Sequence, residues 1–343
     1  MKIFPLLLGI IFACCTSMQG QDRPQPVTLK SFTLKSSIRA IEVLNDSTLW
    51  FAGSNGKYGR IMNDRLEIDS ISHEGKLPHF RSIAYNGKHI FLLSIESPAL
   101  LYKIDPKSKG SVKLVYKETG PKVFYDSMIF LNEQNGIAIG DPVQNCLSIL
   151  ISKDAGEHWT RISCDMLPEI HEGEAAFAAS NSNIAAKDGQ IWVATGGARA
   201  RVFKGDQKFE NWKVSDTPIS QGGQMTGIFS IDFYDENTGI IMGGNWEEKQ
   251  NTSKSKAITL NGGESWSLAG DKSPPGYISC VRFVPGKSGK HILAVSTEGL
   301  YFSQDMAGSW TKIMDKGYYS LRFADPETVW LSANNRIDKI KLK

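Results

Sequence analysis

Seven times along this chain a short stretch of the same character returns, at intervals of 40 to 55 residues. The stretches read IRAIEV (38–43), FRSIAY (80–85), YDSMIF (125–130), GEAAFA (173–178), IFSIDF (228–233), ISCVRF (278–283) and YYSLRF (318–323). Each mixes β-formers with small residues, and each is followed by a second apolar run with a glycine or polar exit, such as GIAIGD, IWVATGG and GIIMGG. A repeat of this length is one supersecondary unit that cannot bury its apolar face alone, so neighbouring units must stack. Helical periodicity of any length is absent. These facts predict an all-β chain of radially packed four-stranded sheets.

A second repeat lies between the strands. SKDAGEHW (152–159), TLNGGESW (259–266) and SQDMAGSW (303–310) share a Ser or Thr, an Asp or Asn two residues on, and a Trp five residues beyond that. Each resembles the Asp-box, a hairpin turn in which the acidic or amide side chain caps backbone N–H groups. Glycine there takes a positive φ, and the tryptophan packs between sheets. In the third copy the glycine is shifted by one position, and weaker copies stand at Asp105, at Asn63 with Asp64, and from Asp206 to Trp212. Seven opening strands predict a seven-bladed β-propeller with Asp-box turns over residues 27–343. After Trp330 a single strand, 336–342, remains for the last blade. The apolar alternation of Val27, Leu29, Phe32 and Leu34 predicts an N-terminal strand that completes that blade and removes its open edge.

The amino terminus reads as an export signal. Lys2 supplies a positive start, and residues 4–13 form an apolar run too short to span a bilayer. IFAC (11–14) resembles a lipobox, which makes residues 1–13 a signal peptide, Cys14 the lipidated residue and 14–26 a polar tether. Secretion with cleavage a few residues later is the rival reading. Either way the protein is exported, and in the lipoprotein reading the membrane is met through a lipid anchor only. A net charge of +3 over 343 residues is close to balanced and gives no support for nucleic-acid binding, which normally shows a clustered basic face, so no nucleic-acid partner is expected. Five cysteines are too few for a disulfide scaffold. Cys146 and Cys164 flank one predicted hairpin, where a bridge and a pair of buried small hydrophobes are equally good readings.

The opening strands line the central channel. One place into each, the row reads Arg39, Arg81, Asp126, Glu174, Phe229, Ser279 and Tyr319; the next reads Ala40, Ser82, Ser127, Ala175, Ser230, Cys280 and Ser320. Small residues are forced by a narrow channel, whereas two arginines and two acids at its mouth are not. Loops add Asp141, His171, Arg199, Asn245 and Trp246 to the same face. In one reading, Arg81 pairs with Asp126 and Arg39 with Glu174 or a loop acid, closing the mouth with a polar network. In a second, Arg39, Arg81 and Arg199 offer guanidinium forks to a carboxylate or an acidic partner, with Asp141, Asn245, Trp246 and Tyr319 around them. In a third, Asp126 and Glu174 are the acid/base pair of a glycoside hydrolase or lyase. Sialidases also carry Asp-boxes and combine three arginines with Tyr and Glu, a list that Arg39, Arg81, Arg199, Tyr319 and Glu174 match in kind. Phe80, Arg81, Ser82 and Ile83 nevertheless depart from the sialidase FRIP signature. The HEGE run at 171–174 has no second His/Cys cluster, so no metal is expected. The glycines of TGGAR (195–199) join two strands and open no helix, so no dinucleotide cofactor is expected either.

The motifs SIRAIEVL, AGSNG, VFYDSMIFLNEQNGIAIGDP, GEAAFAASNS, WVATGGARARVF, GGQMTGIFSIDF and PGYISCVRF resemble exported bacterial relatives of the plant photosystem II stability and assembly factor. That group lies within the BNR/Asp-box propellers and is often labelled oxidoreductase. The resemblance covers the mature chain and implies a propeller in the cell envelope. Together with the absence of a recognisable catalytic set, it predicts a binding or assembly module acting on an envelope protein or an anionic glycan or carboxylate. A carbohydrate-active enzyme using the same mouth is the alternative.

Overall fold

The computed structural model describes residues 23–108 and 110–343. The expected signal peptide, the expected lipidation site Cys14 and most of the expected tether lie outside the described residues. What is described is antiparallel β throughout, with the single 3₁₀ turn Cys164–Met166 as its helical element. The result is a β-propeller.

Its blade count corrects the expectation. The strands hydrogen-bond into six sheets, four of four strands and two of six, so there are six blades and not seven. The reason lies in continuity that short repeats do not reveal. Pro26–Asn45 is one strand of 20 residues. Its first half pairs with the 15-residue strand Thr328–Leu342, and its second half pairs with Thr48–Gly53. The strands expected as a first and a last unit are thereby one six-stranded sheet. Phe32 and Leu34 are buried on that long strand, and Phe32 lies 6.1 Å from the fully buried Trp330. The two ends of the described chain close on each other, Gln25 donating to the Lys343 carbonyl at 2.8 Å.

A second correction concerns GEAAFA. Only Glu174–Ala175 is strand, and it pairs with Gly196–Gly197, which joins Thr226–Phe233 to give the other six-stranded sheet. The channel strand of that region is instead Ile184–Lys187, paired with Gln190–Ala194. Asp188 (φ 47°) and Gly189 (φ 81°) turn between them. This is the Asp-Gly signature of a two-residue type I′ hairpin. The small channel row therefore carries Asn183 and not Ala175: Ala40, Ser82, Ser127, Asn183, Ser230, Cys280 and Ser320 are all fully buried.

The three Ser/Thr-x-Asp/Asn turns close alike. Ser152 Oγ accepts the Gly156 amide at 2.9 Å, and Asp154 Oδ1 accepts the His158 amide at 3.0 Å. Thr259 with Asn261, and Ser303 with Asp305, repeat both bonds. Gly156 and Gly263 take φ of 77° and 84°, whereas the third turn places Ala307 there at 67°. An alanine in the left-handed region carries a steric cost that glycine does not. Ala307→Gly is therefore expected to stabilise the fold by about 0.5–1 kcal/mol in urea unfolding. Cys146 and Cys164 are joined in a disulfide with Cα atoms 5.5 Å apart, and Cys280 is a free, buried thiol.

Candidate functional site

The mouth side chains point where they do because of β-bulges. Strand register slips between Ile38 and Ala40, between Phe80 and Ser82, and between Ile228 and Ser230. It slips again opposite Ile139 and Gly140, where Tyr125 and Ser127 are the paired residues. The unpaired residues are Arg39, Arg81, Phe229 and Asp126. A bulge turns its extra residue out of the ladder and re-aims the side chain. Glycines opposite make room: a Cβ at Gly140 would overlap the Phe124 carbonyl, and one at Gly243 the Gly227 carbonyl.

The chain's own segment 176–183 crosses the channel beneath this row. Ser180, Asn181, Ser182 and Asn183 are buried. Asn181 Nδ2 donates to the Ile83 carbonyl at 2.8 Å, and Asn181 Oδ1 accepts the Met128 amide at 2.9 Å. Ser182 Oγ bonds Ser230 Oγ at 2.8 Å, and Ser127 Oγ bonds Asn183 Oδ1. Buried backbone needs partners, and the small polar row of the channel provides them.

Above the segment, Arg39 donates to the Ala179 carbonyl at 3.1 Å and Arg81 to the Ala178 carbonyl at 3.3 Å. Arg39 stacks on Tyr319, its guanidinium carbon 4.2 Å from the ring centre. Arg81 is held below the usual arginine range by burial and by the neighbouring Arg39. Neither guanidinium has a carboxylate within 4 Å among the described residues, so the expected Arg81–Asp126 and Arg39–Glu174 pairs are absent. Asp126 is fully buried with both carboxylate oxygens closed to solvent, and the Ala178 amide is the backbone donor oriented to it. Burial, and then the nearby Asp141, hold its carboxyl well above the ordinary range. Asp141 Oδ1 accepts the Ala176 amide at 3.0 Å, and burial pushes its carboxyl up to about 6. Phe177 stacks on Phe229 at 4.1 Å, and Tyr277 meets Phe229 edge-on at 4.8 Å. Arg39, Arg81, Asp126, Asp141, these aromatics and the 42 % exposed Trp246 line one cavity of about 390 Å³.

The remaining expected residues are placed elsewhere. Glu174 is locked in a buried bidentate pair with Arg201, at 2.7 to 3.1 Å, and also accepts from Thr195 Oγ1 at 2.6 Å. It borders an adjoining open groove that shares Asp141 with the mouth cavity and includes His171 but not Asp126. Arg199 pairs with Asp216 at 2.8 Å on the exposed rim. Asn245 Oδ1 accepts the Glu247 amide in a surface turn. The arginine triad and the acid pair of a sialidase-like centre are thus not assembled at one place. Among the described residues no three His, Cys, Asp or Glu side chains converge as a metal site would require.

The far end of the channel carries charge that the sequence reading did not single out. Arg322 donates to the Asn181 carbonyl at 2.9 Å, and Arg282 lies 3.8 Å from Asp232. Burial raises Glu42 to about 7 against the opposing pull of Arg322 and Arg282. Unfolded, Glu42 titrates near its ordinary ~4.3, so between that pH and about 7 the folded chain holds the extra proton. Stability from this group is fully present below the unfolded pKa and is lost as pH rises through the folded one. Glu42→Gln is expected to be neutral near pH 4 and about 1–2 kcal/mol stabilising at pH 8, read from urea unfolding at both.

No family model and no curated protein matches the sequence. Among solved structures, the chain superposes on YCF48 bound to D1 peptide with a TM-score of 0.64 at 12% identity, covering 94% of this chain and 98% of that one. The likeness is one of fold. YCF48 from Cyanidioschyzon merolae gives 0.66 at 13% identity, covering 92% and 99%. The structure of U3-55K gives 0.62 at 16% identity, covering 93% and 98%. At these identities the likeness carries the architecture alone, and the chemistry must be argued from the site.

Proposed function

We propose that the protein is a non-catalytic recognition module of the cell envelope that engages a carboxylate-bearing partner, protein or glycan, at the channel mouth. The observation that carries this reading is the unpaired state of Arg39 and Arg81. Two guanidiniums stand together, each bonding one backbone carbonyl of the chain's own segment, with no acid among the described residues paired to either. Guanidinium N–H groups left over are suited to bidentate capture of a carboxylate. Export accords with the Cys146–Cys164 disulfide, a bond that persists in oxidising compartments. The likeness to YCF48 bound to D1 peptide supports a peptide as the class of partner. Against an enzyme stands Glu174, whose carboxylate is taken up by Arg201, the Thr195 hydroxyl and the His171 amide.

The test is a panel of sialosides, uronic-acid glycans and peptides with free carboxyl ends, assayed for both binding and turnover. Binding without turnover, lost in Arg81→Gln with the fold intact, is the expected result. Turnover abolished by Asp126→Asn would replace this reading with the enzymatic one.

A further inference from the structure

We propose that the mouth cavity selects an apolar monocarboxylate: its single carboxylate on Arg39 and Arg81, its uncharged body against Phe124, Phe177, Met225 and Trp246. This deepens the carboxylate-recognition reading, rests on it, and excludes hydroxyl-rich acids such as uronates from it. Two guanidiniums facing one half-buried cavity are costly, because burial strips their hydration and each repels the other. Arg81 is held below the usual arginine range by both effects. Each arginine spends one terminal nitrogen on a backbone carbonyl. The other terminal nitrogen of each has no partner among the described residues and is not closed to solvent. Asp126 presents nothing to a ligand: both its oxygens are closed to solvent, the Ala178 amide is oriented to it, and burial favours its neutral form. Asp141 already gives one oxygen to the Ala176 amide. The open charge of the cavity is therefore positive, and an anion is the species that balances it.

The walls decide which anion. Phe124, Phe177 and Met225 are half-buried and Trp246 is exposed, so each keeps apolar surface open to the cavity. Phe177 is held flat by its stack on the buried Phe229, which Tyr277 backs edge-on. Neutral hydrogen-bonding side chains are scarce on this lining: among the described residues Gln224 is its one amide and Tyr277 its one hydroxyl. A sugar acid would bring hydroxyls against apolar carbon, with their water stripped and little to replace it. A second carboxylate would meet the same wall. An acid bearing one aromatic or branched apolar group instead takes that surface out of water, its own and the wall's. A cavity of about 390 Å³ suits one such group. It shares Phe124, Asp141, Ala175 and Gln224 with the adjoining open groove. A free acid and the last residue of a chain running out along that groove present the same chemistry here.

The experiment is calorimetric titration of the full-length protein with 3-phenylpropanoate, its uncharged amide 3-phenylpropanamide, and D-galacturonate. The apolar acid is expected to bind at least about tenfold tighter than either of the others, a difference of ~1.4 kcal/mol. Phe177→Ala should bring 3-phenylpropanoate to within about twofold of galacturonate. Trp246→Ala, at an exposed position, provides a second wall variant should the first fail to fold, and is expected to shrink the same preference. A fourth probe, N-acetyl-Gly-Gly-Phe, separates the two sources: tighter binding than 3-phenylpropanoate assigns the cavity to a chain end, equal or weaker binding to a free acid. If galacturonate binds as well as 3-phenylpropanoate, this inference falls and the recognition reading stands. If the amide binds as well as the acid, or no acid binds and Arg81→Gln changes nothing in the wider carboxylate panel, both fall.

Discussion

Arg201→Ala is expected to destabilise the protein by about 3–5 kcal/mol in urea unfolding at pH 7. The guanidinium meets Glu174 through Nε at 3.0 and 3.1 Å and through a terminal nitrogen at 2.7 Å. That same nitrogen reaches the Glu169 carbonyl at 2.8 Å. Side-chain exposure is 8% for Arg201 and 0% for Glu174. Removing the arginine leaves an ionised carboxylate in the dry interior with only Thr195 and the His171 amide as partners. That is the costly way to break a buried pair. Removing both charges together, as Arg201→Met with Glu174→Leu, should cost far less than the single change, because the desolvation penalty of each ion leaves with it. The double variant thus separates the charge from the packing. It also bears on function: loss of any activity on changing Glu174 would report a broken fold, so Asp126→Asn is the cleaner test for catalysis.

Removing the disulfide as Cys146→Ala with Cys164→Ala is expected to cost about 3 kcal/mol. The two residues are 18 apart in sequence, and linking them restricts the unfolded chain by roughly that amount. Their surroundings are apolar, Cys146 packing among Ile137, Ile139, Leu147 and Ile149, so the alanine pair leaves no polar group stranded. Scanning calorimetry of the oxidised and reduced wild type and of the double variant should place the last two together. Wild type unchanged by a reductant that quantitatively opens the bond would contradict this. The segment after Cys164 leads to Glu169, His171 and Glu174, so loosening it should also raise amide exchange along 165–173.

How far the sequence could be read follows from which constraints are local. The strand repeats, the three Trp-containing turns and the pairing of the amino-terminal segment with the final strand are all local alternations, and each is visible in residue order. The number of sheets is not local. It depends on whether a strand breaks where the alternation changes phase, and Pro26–Asn45 does not break. GEAAFA misled because its small residues satisfy a channel crossing as well as a channel strand. The Asp188-Gly189 turn was the signal that could have placed the true strand four residues before it. Arg39, Arg81 and Asp126 were legible as mouth residues because the bulged position recurs at one place in four of the repeats. Their partners were not legible. Whether Arg81 meets a side chain or a carbonyl of residues 178–179 depends on a segment nearly a hundred residues away, and no pattern in the sequence announces it.

The most direct test of the carboxylate-recognition reading is a fluorescence titration that follows Trp246 at the mouth, with Trp246→Phe to assign the signal. The titrants are a peptide with a free carboxyl end and an oligogalacturonate. The account predicts a saturable change with at least one of them, abolished in the Arg39→Gln, Arg81→Gln double variant whose unfolding midpoint is retained, and no product formed. Binding that survives loss of both arginines would contradict it.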